Sequence, residues 1–199
     1  TAAPINSNDN ILHLEASFSV RQLDESNAFS VKNRAGVHST SVKSIISGDF
    51  IAEDNTVYDL ALSYTYKQWN IAGEYVSADI SGVTAGEDRE FSNYYVQTGY
   101  FLTDDQRPYN VASGSFGGVK PSSTSGAWEV FARFEDIDLS DQSVGSDAKI
   151  VTLGVNWFAT NYTRLSLNYV SSDVDYASLT NNGSSINGSA INMRAQFHF

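Results

Sequence analysis

The sequence predicts an all-β protein, and three observations carry that reading. Apolar and polar residues alternate with period two over long stretches, the repeat of a strand whose two faces meet different surroundings. No stretch has a helical periodicity long enough to cover a sheet, and no apolar run nears the roughly twenty residues of a membrane helix. Aromatic residues make up 13% of the chain, with 11 Tyr, 11 Phe and 3 Trp against a single Met. Tyr and Phe favour strands, and Tyr and Trp also favour membrane interfaces.

The strands follow in order. From about 11 to 22, Leu12, Leu14, Ala16, Phe18 and Val20 alternate with His13, Glu15, Ser17, Ser19 and Arg21. Tyr58, Leu60, Leu62, Tyr64 and Tyr66 then alternate with Asp59, Ser63, Thr65 and Lys67. Further runs begin near Asn70, Ser92, Trp128, Lys149 and Tyr162. At the end of the chain Ile191, Met193, Ala195, Phe197 and Phe199 alternate with Asn192, Arg194, Gln196 and His198. Residues 1–199 therefore read as one antiparallel meander of about eight strands joined by polar loops.

Soluble sandwiches and membrane barrels both hide one face of each strand. Three features favour the barrel. Aromatics sit towards the ends of the apolar faces, at Tyr58, Tyr66, Trp128, Phe134, Trp157, Tyr169 and Phe199, as in the girdles of membrane barrels. The runs approach the roughly ten residues that cross a bilayer, not the five or six usual in soluble sheets. Loop lengths also alternate: 67–70 and 159–162 are tight turns, whereas 23–56 and 172–188 are long and polar. Placing Phe199 at the periplasmic side puts the tight turns in the periplasm and the loops 23–56, 79–90, 138–147 and 172–188 outside. Thr103 to Gly126 falls on the periplasmic side yet is long and rich in Gly, Ser and Pro, and a connection of that length points to function or disorder.

Composition narrows the function classes. The 199 residues carry a net charge of -11 and no Cys, which excludes disulfides and thiol chemistry and argues against a nucleic-acid partner. Thr1-Ala2-Ala3-Pro4 has no secretory-signal pattern, so the sequence reads as a mature chain or a piece of one. His13, His38 and His198 are too scattered for a metal site. Asp136 to Asp141 lacks the central Gly and closing Glu of a calcium loop. Gly114 to Lys120 lacks the ending of a Walker motif. No nucleophile, base and acid share a defensible spacing, so the reading is no enzyme, no cofactor and no metal.

In a barrel the strand parity puts Glu15, Arg21, Asp59, Lys67, Glu74, Glu129, Arg133, Glu135, Arg164 and Arg194 towards the lumen. Two readings of these charges stay open: a solvated or mutually paired wall, or a lining that sets ion preference. Glu129, Arg133 and Glu135 lie close together on one strand face and read as a paired network. The acids of the outer loops, Asp49, Glu53, Asp54, Glu87, Asp88, Glu90, Asp138 and Asp141 among them, read as solubilising charge or as divalent bridges to lipopolysaccharide.

Several stretches carry a family resemblance: Gly73-Glu74-Tyr75, Tyr94 to Gln97, Phe101-Leu102-Thr103, Arg107-Pro108-Tyr109, Phe116-Gly117 and Val119-Lys120-Pro121. Gly126 to Glu129, Ala132-Arg133, Thr152 to Trp157, Asn168-Tyr169-Val170 and Arg194 to Phe197 continue it. From about Tyr58 to the C-terminus the chain resembles the phosphate-selective porins O and P of the bacterial outer membrane. The resemblance implies the C-terminal half of a sixteen-stranded homotrimeric porin, in contact with membrane lipid and lipopolysaccharide. It also implies that 103–126 folds into the lumen and presents Arg107 and Lys120 to small anions such as phosphate, with Arg133, Arg164 and Arg194 along the lumen wall. The family pattern has a Lys after the Tyr of Arg-Pro-Tyr; Asn110 stands there instead and removes one positive charge.

The function expected from these readings is a passive outer-membrane channel for small anions, possessing no chemistry of its own. The alternative is a stand-alone eight-stranded structural or adhesive barrel, whose narrow interior side chains would fill.

Overall fold

A computed structural model of the chain describes residues 1–7, 9–37, 39–110 and 115–198. In chain order the strands are β1 (Ala2–Asn6), β2 (Asn10–Gln22), β3 (Ala28–Phe29), β4 (Lys32–Asn33), β5 (Ile45–Ile46), β6 (Phe50–Tyr66) and β7 (Trp69–Gly82). They continue with β8 (Arg89–Phe101), β9 (Tyr109–Asn110), β10 (Ser115–Phe116), β11 (Ala127–Asp138), β12 (Ser146–Thr160), β13 (Thr163–Tyr176) and β14 (Ser185–Phe197). The long strands pair antiparallel in the order β1-β2-β6-β7-β8-β11-β12-β13-β14. That is the all-β meander read from the alternation, with one strand more: β1 pairs with β2 through Ile5 and Leu12. Among the described residues β1 and β14 are the two edges of this sheet.

Burial follows strand parity, but inverted relative to a soluble sheet. Met193 is 86% and Ile191 75% exposed, while Glu129 is fully buried. Phe18, Leu60, Leu62, Leu153, Leu167 and Phe197 share the exposed apolar face. A surface this apolar is stable only where lipid replaces water. Aromatics band this face at two levels. Trp128 stacks on its cross-strand partner Trp157 at 5.7 Å, and Trp69 meets Tyr100 at 4.7 Å, near the tight turns. Phe18 meets Tyr58 at 5.2 Å and Tyr94 meets Phe134 at 6.0 Å towards the other end. Each such pair contributes about 0.5–1.5 kcal/mol beyond its area.

The tight turns fall where the alternation predicts them, at Lys67-Gln68 between β6 and β7 and at Asn161-Tyr162 between β12 and β13. Lys67, expected on the lumen wall, is instead a turn residue with φ 50°, its ammonium 5.4 Å from the Tyr66 ring. Phe199, the expected end of the last strand, and His38 lie outside the described residues.

The first long connection departs from expectation in two ways. It is shorter than 23–56, because β6 begins at Phe50, and it does not simply face outward. It folds over the polar face, where Ala35, Ile45, Ile80, Phe91, Ile150 and Val174 belong to one apolar cluster. The Ile46 N–H donates to Ser146 Oγ at 2.8 Å. Gly36 makes the approach possible: its φ is +78°, and a Cβ there would stand 3.0 Å from Val170 and 3.1 Å from Ile150. No residue with a side chain fits that place without displacing the wall.

Candidate functional site

At the tight-turn end of the sheet, residues 102–110 and 115–126 also lie on the polar face. The segment leaves β8 at Phe101 and is held first by the backbone, Leu102 N–H donating to Trp128 O at 2.8 Å. Trp128 N–H donates to Thr103 Oγ1 at 3.2 Å. Asp105, 7% exposed, accepts the Ser122 N–H at 2.7 Å and so ties the two ends of the excursion together. Val119 joins Phe101, Ala127 and Phe158 in a second buried apolar cluster. At its tip Tyr109 packs edge-on against Phe116 at 5.1 Å and against His13 of β2 at 5.3 Å.

Arg107 is the segment's strongest contact with the wall. Its Nη2 donates to Glu129 Oε2 at 2.7 Å and to Oε1 at 2.9 Å, and Nε donates to Oε1 at 3.2 Å. The carboxylate is fully buried, and 21% of the Arg107 side chain is exposed. Two amides complete the carboxylate's shell: Asn70 Nδ2 donates to Oε1 at 3.0 Å and Asn156 Nδ2 to Oε2 at 2.8 Å. Ser166 Oγ donates in turn to Asn156 Oδ1 at 2.6 Å. Gly99 leaves the room for this: a Cβ there would meet the Asn70 amide and Glu129 Oε1 at 2.8 Å. A buried charge needs such a complete set of partners.

The other basic residues divide into paired and unpaired. Arg133 Nη2 lies 3.2 Å from Glu135, and the guanidinium stacks 3.6 Å from the Tyr95 ring centroid. Arg164 donates to Gln196 Oε1 at 2.7 Å and forms no ion pair among the described residues. Arg194 likewise has no carboxylate partner there. Arg107, Arg164 and Arg194 line one cavity of 360 Å³ with Gln97, Asn156 and Asn168. Arg107 and Arg164 line a second, of 330 Å³, beside Phe158, whose ring lies 5.7 and 5.8 Å from the two guanidinium centres. Arg194 and Arg133 share a third with Asn192. Lys120 is exposed, makes no ion pair among the described residues and lines neither cavity that Arg107 lines.

The structure thus brings Arg107, Arg164 and Arg194 together, links Arg133 to them through Arg194, and leaves Lys120 apart. It also replaces the expected Glu129, Arg133 and Glu135 network with two separate pairs, Arg107 to Glu129 and Arg133 to Glu135. Asn70, Asn156 and Ser166 were missed as site residues. Their inward parity was readable, but an uncharged amide on a polar face gives no signal of its partner.

Away from the strands, carboxylates are drawn down by local donors. Hydrogen bonds from Lys32 and Ser30 hold the Asp49 carboxyl below the usual range, and those from Ser26 and Asn27 do so for Asp24. Burial, then the charge of Glu15, pushes the Tyr109 phenol up.

A meander with an apolar aromatic-banded exterior and a charged, sparsely filled polar face is the wall of an outer-membrane β-barrel. The chain belongs to the family of phosphate-selective porins O and P, whose model matches residues 1–199. That match extends the resemblance from Tyr58 back to the N-terminus. Porin O of Pseudomonas aeruginosa is 27% identical over 99% of this chain and 51% of its own length. An uncharacterized protein of Caulobacter vibrioides is 28% identical over 76% of this chain and 31% of its own length. The chain spans about half or less of the curated relatives it matches.

Proposed function

We propose that the polar face of this sheet lines a passive channel for small anions, with phosphate the preferred solute, and that this chain supplies one half of a sixteen-stranded wall. The single observation that carries the reading is the pair of arginines, Arg164 and Arg194, that share a cavity and have no carboxylate within 4.0 Å among the described residues. Fixed positive groups replace part of an anion's hydration while leaving it free to exit. Arg107 adds to this field only weakly because Glu129 neutralises it, whereas Lys120 adds an exposed charge with no ion pair among the described residues. The net charge of -11 does not oppose the reading, since acids such as Glu53, Glu87, Asp138 and Asp141 sit at or beyond the far ends of the strands. Support for half a wall, against a stand-alone barrel, comes from the span of 51% against Porin O. Homotrimeric assembly and contact with lipopolysaccharide rest on the family resemblance.

The test is a phosphate titration of chloride current through the full-length protein in planar bilayers. Phosphate is expected to block chloride current at sub-saturating chloride, and Arg164→Gln with Arg194→Gln to weaken the block. Chloride current indifferent to phosphate in the unaltered protein would contradict the phosphate assignment.

A further inference from the structure

We infer that Glu129 is a positioning residue, the wall-side half of a latch that keeps residues 102–110 and 115–126 on the polar face and so sets the width of the pathway. The inference deepens the channel reading and rests on it for the word pathway, but the latch itself is a matter of geometry. Glu129 is fully buried and its four hydrogen-bonding contacts of 3.0 Å or less come from three elements: the segment's Arg107, Asn70 of β7 and Asn156 of β12. A carboxylate that merely tuned lumen charge would face the lumen. This one is roofed by Arg107, whose guanidinium is the only ion-pair partner within 4.0 Å that it has among the described residues. Val119 in a four-residue apolar cluster and Tyr109 on His13 add apolar and ring contacts to the segment's middle. Breaking a buried pair by removing one partner leaves the other charge uncompensated, so the segment loses its main polar attachment when either member goes.

Two roles for Arg107 now predict opposite signs. If Arg107 acts by its charge on passing anions, Glu129→Gln unmasks that charge and raises anion preference, while Arg107→Gln lowers it. If the pair is a latch, both substitutions release the same segment and move conductance in the same direction, upward, and the double variant adds little to either single one.

The experiment uses the full-length protein in detergent and in bilayers. Proteinase K cleavage within 107–120, read by mass spectrometry, is expected to speed up about tenfold or more in Glu129→Gln, in Arg107→Gln and in the double variant, with no further gain in the double. Mean single-channel conductance is expected to rise in all three. Glu129→Asp, which keeps the charge, is expected to stay within about threefold of the unaltered cleavage rate. Opposite shifts of anion preference in the two single variants with cleavage unchanged would overturn the latch. Heat-modifiable migration on gels reports whether each barrel is assembled. Should Glu129→Gln fail to assemble, Arg107→Gln alone decides, because it leaves the strand residues untouched, and unchanged cleavage there would overturn the proposal. Cleavage does not depend on ion preference, so a latch can stand where the anion reading falls, and the reverse.

Discussion

Glu129 and Arg194 stand on one cross-strand row, with Asn156 and Ser166 between them: Glu129 pairs with Asn156, Asn156 with Ser166, and Ser166 with Arg194. The row begins at a carboxylate whose charge is consumed by Arg107 and ends at an arginine with no counter-charge among the described residues. Hydrogen bonds run from Glu129 through Asn156 to Ser166, the neutral residue that stands opposite Arg194 in the register. The free positive charge is thereby displaced towards β13 and β14, where Arg164 joins it.

Arg164→Gln with Arg194→Gln is expected to lower the anion-to-cation permeability ratio by about tenfold, since a unit charge 4 Å away weighs about 1 kcal/mol even at the dielectric of bulk water. Lys120→Gln, which lines neither of the cavities that Arg164 lines, is expected to change it by less than about twofold. Bi-ionic reversal potentials measure both. A larger effect at Lys120 than at the arginine pair would move the selective region to the mouth.

Gly99→Ala is expected to destabilise the protein by roughly 1–3 kcal/mol, the usual range for overpacking, because its Cβ would stand 2.8 Å from Asn70 and Glu129. Gly188→Ala, with nothing within 4 Å, is expected to stay within about 0.5 kcal/mol. Reversible unfolding in lipid vesicles compares them, and equal stabilities would show that the Glu129 shell tolerates intrusion.

Leu153 and Thr152 are adjacent on β12 and point to opposite faces; Leu153 is on the exposed apolar face and Thr152 lines a cavity. Leu153→Arg is expected to cost roughly 2–4 kcal/mol in a bilayer and Thr152→Arg distinctly less. The same vesicle unfolding assay applies, and a reversed order would turn the sheet inside out.

In the connection between β2 and β6, Asp49 and Asp24 are held below their usual pKa by donated hydrogen bonds, Lys32 being the largest cause at Asp49 and Ser26 at Asp24. A lowered carboxyl contributes stability above its unfolded pKa, about 3.8, and loses it as pH falls through the folded value. Hydrogen exchange of residues 23–49, corrected for intrinsic rates, is therefore expected to be constant from about pH 7 to 5 and to accelerate below about pH 3.8. Acceleration beginning near neutral pH would point to a different group.

The strands and their two faces were legible in the sequence because period two needs only local information. Leu12 to Val20 and Ile191 to Phe197 alternate without interruption, and every lumen assignment but Lys67 fell on the polar face. What was not legible depends on residues far apart in the chain. β1 is five residues long and contains Pro4, so it shows no sustained alternation and is held by β2 alone. The inward fold of the connection between β2 and β6 rests on Ile46 meeting Ser146 across a hundred positions and on Gly36 lying against Ile150 and Val170. Glu129 and Arg133 looked like partners because both face inward on one strand. Four residues of strand span about 13 Å, however, beyond ion-pair reach, whereas Arg133 and Glu135 stand about 7 Å apart. The true partner of Glu129 came from a loop whose path no local pattern records.

A pore lined by this polar face carries positive charge without a counter-ion and therefore favours anions. The most direct measurement is the reversal potential of the unaltered full-length protein in a planar bilayer across a tenfold KCl gradient. The expected potential lies near the chloride equilibrium value, with chloride favoured over potassium. A potential of the opposite sign, or insertion with no conductance at all, would contradict it.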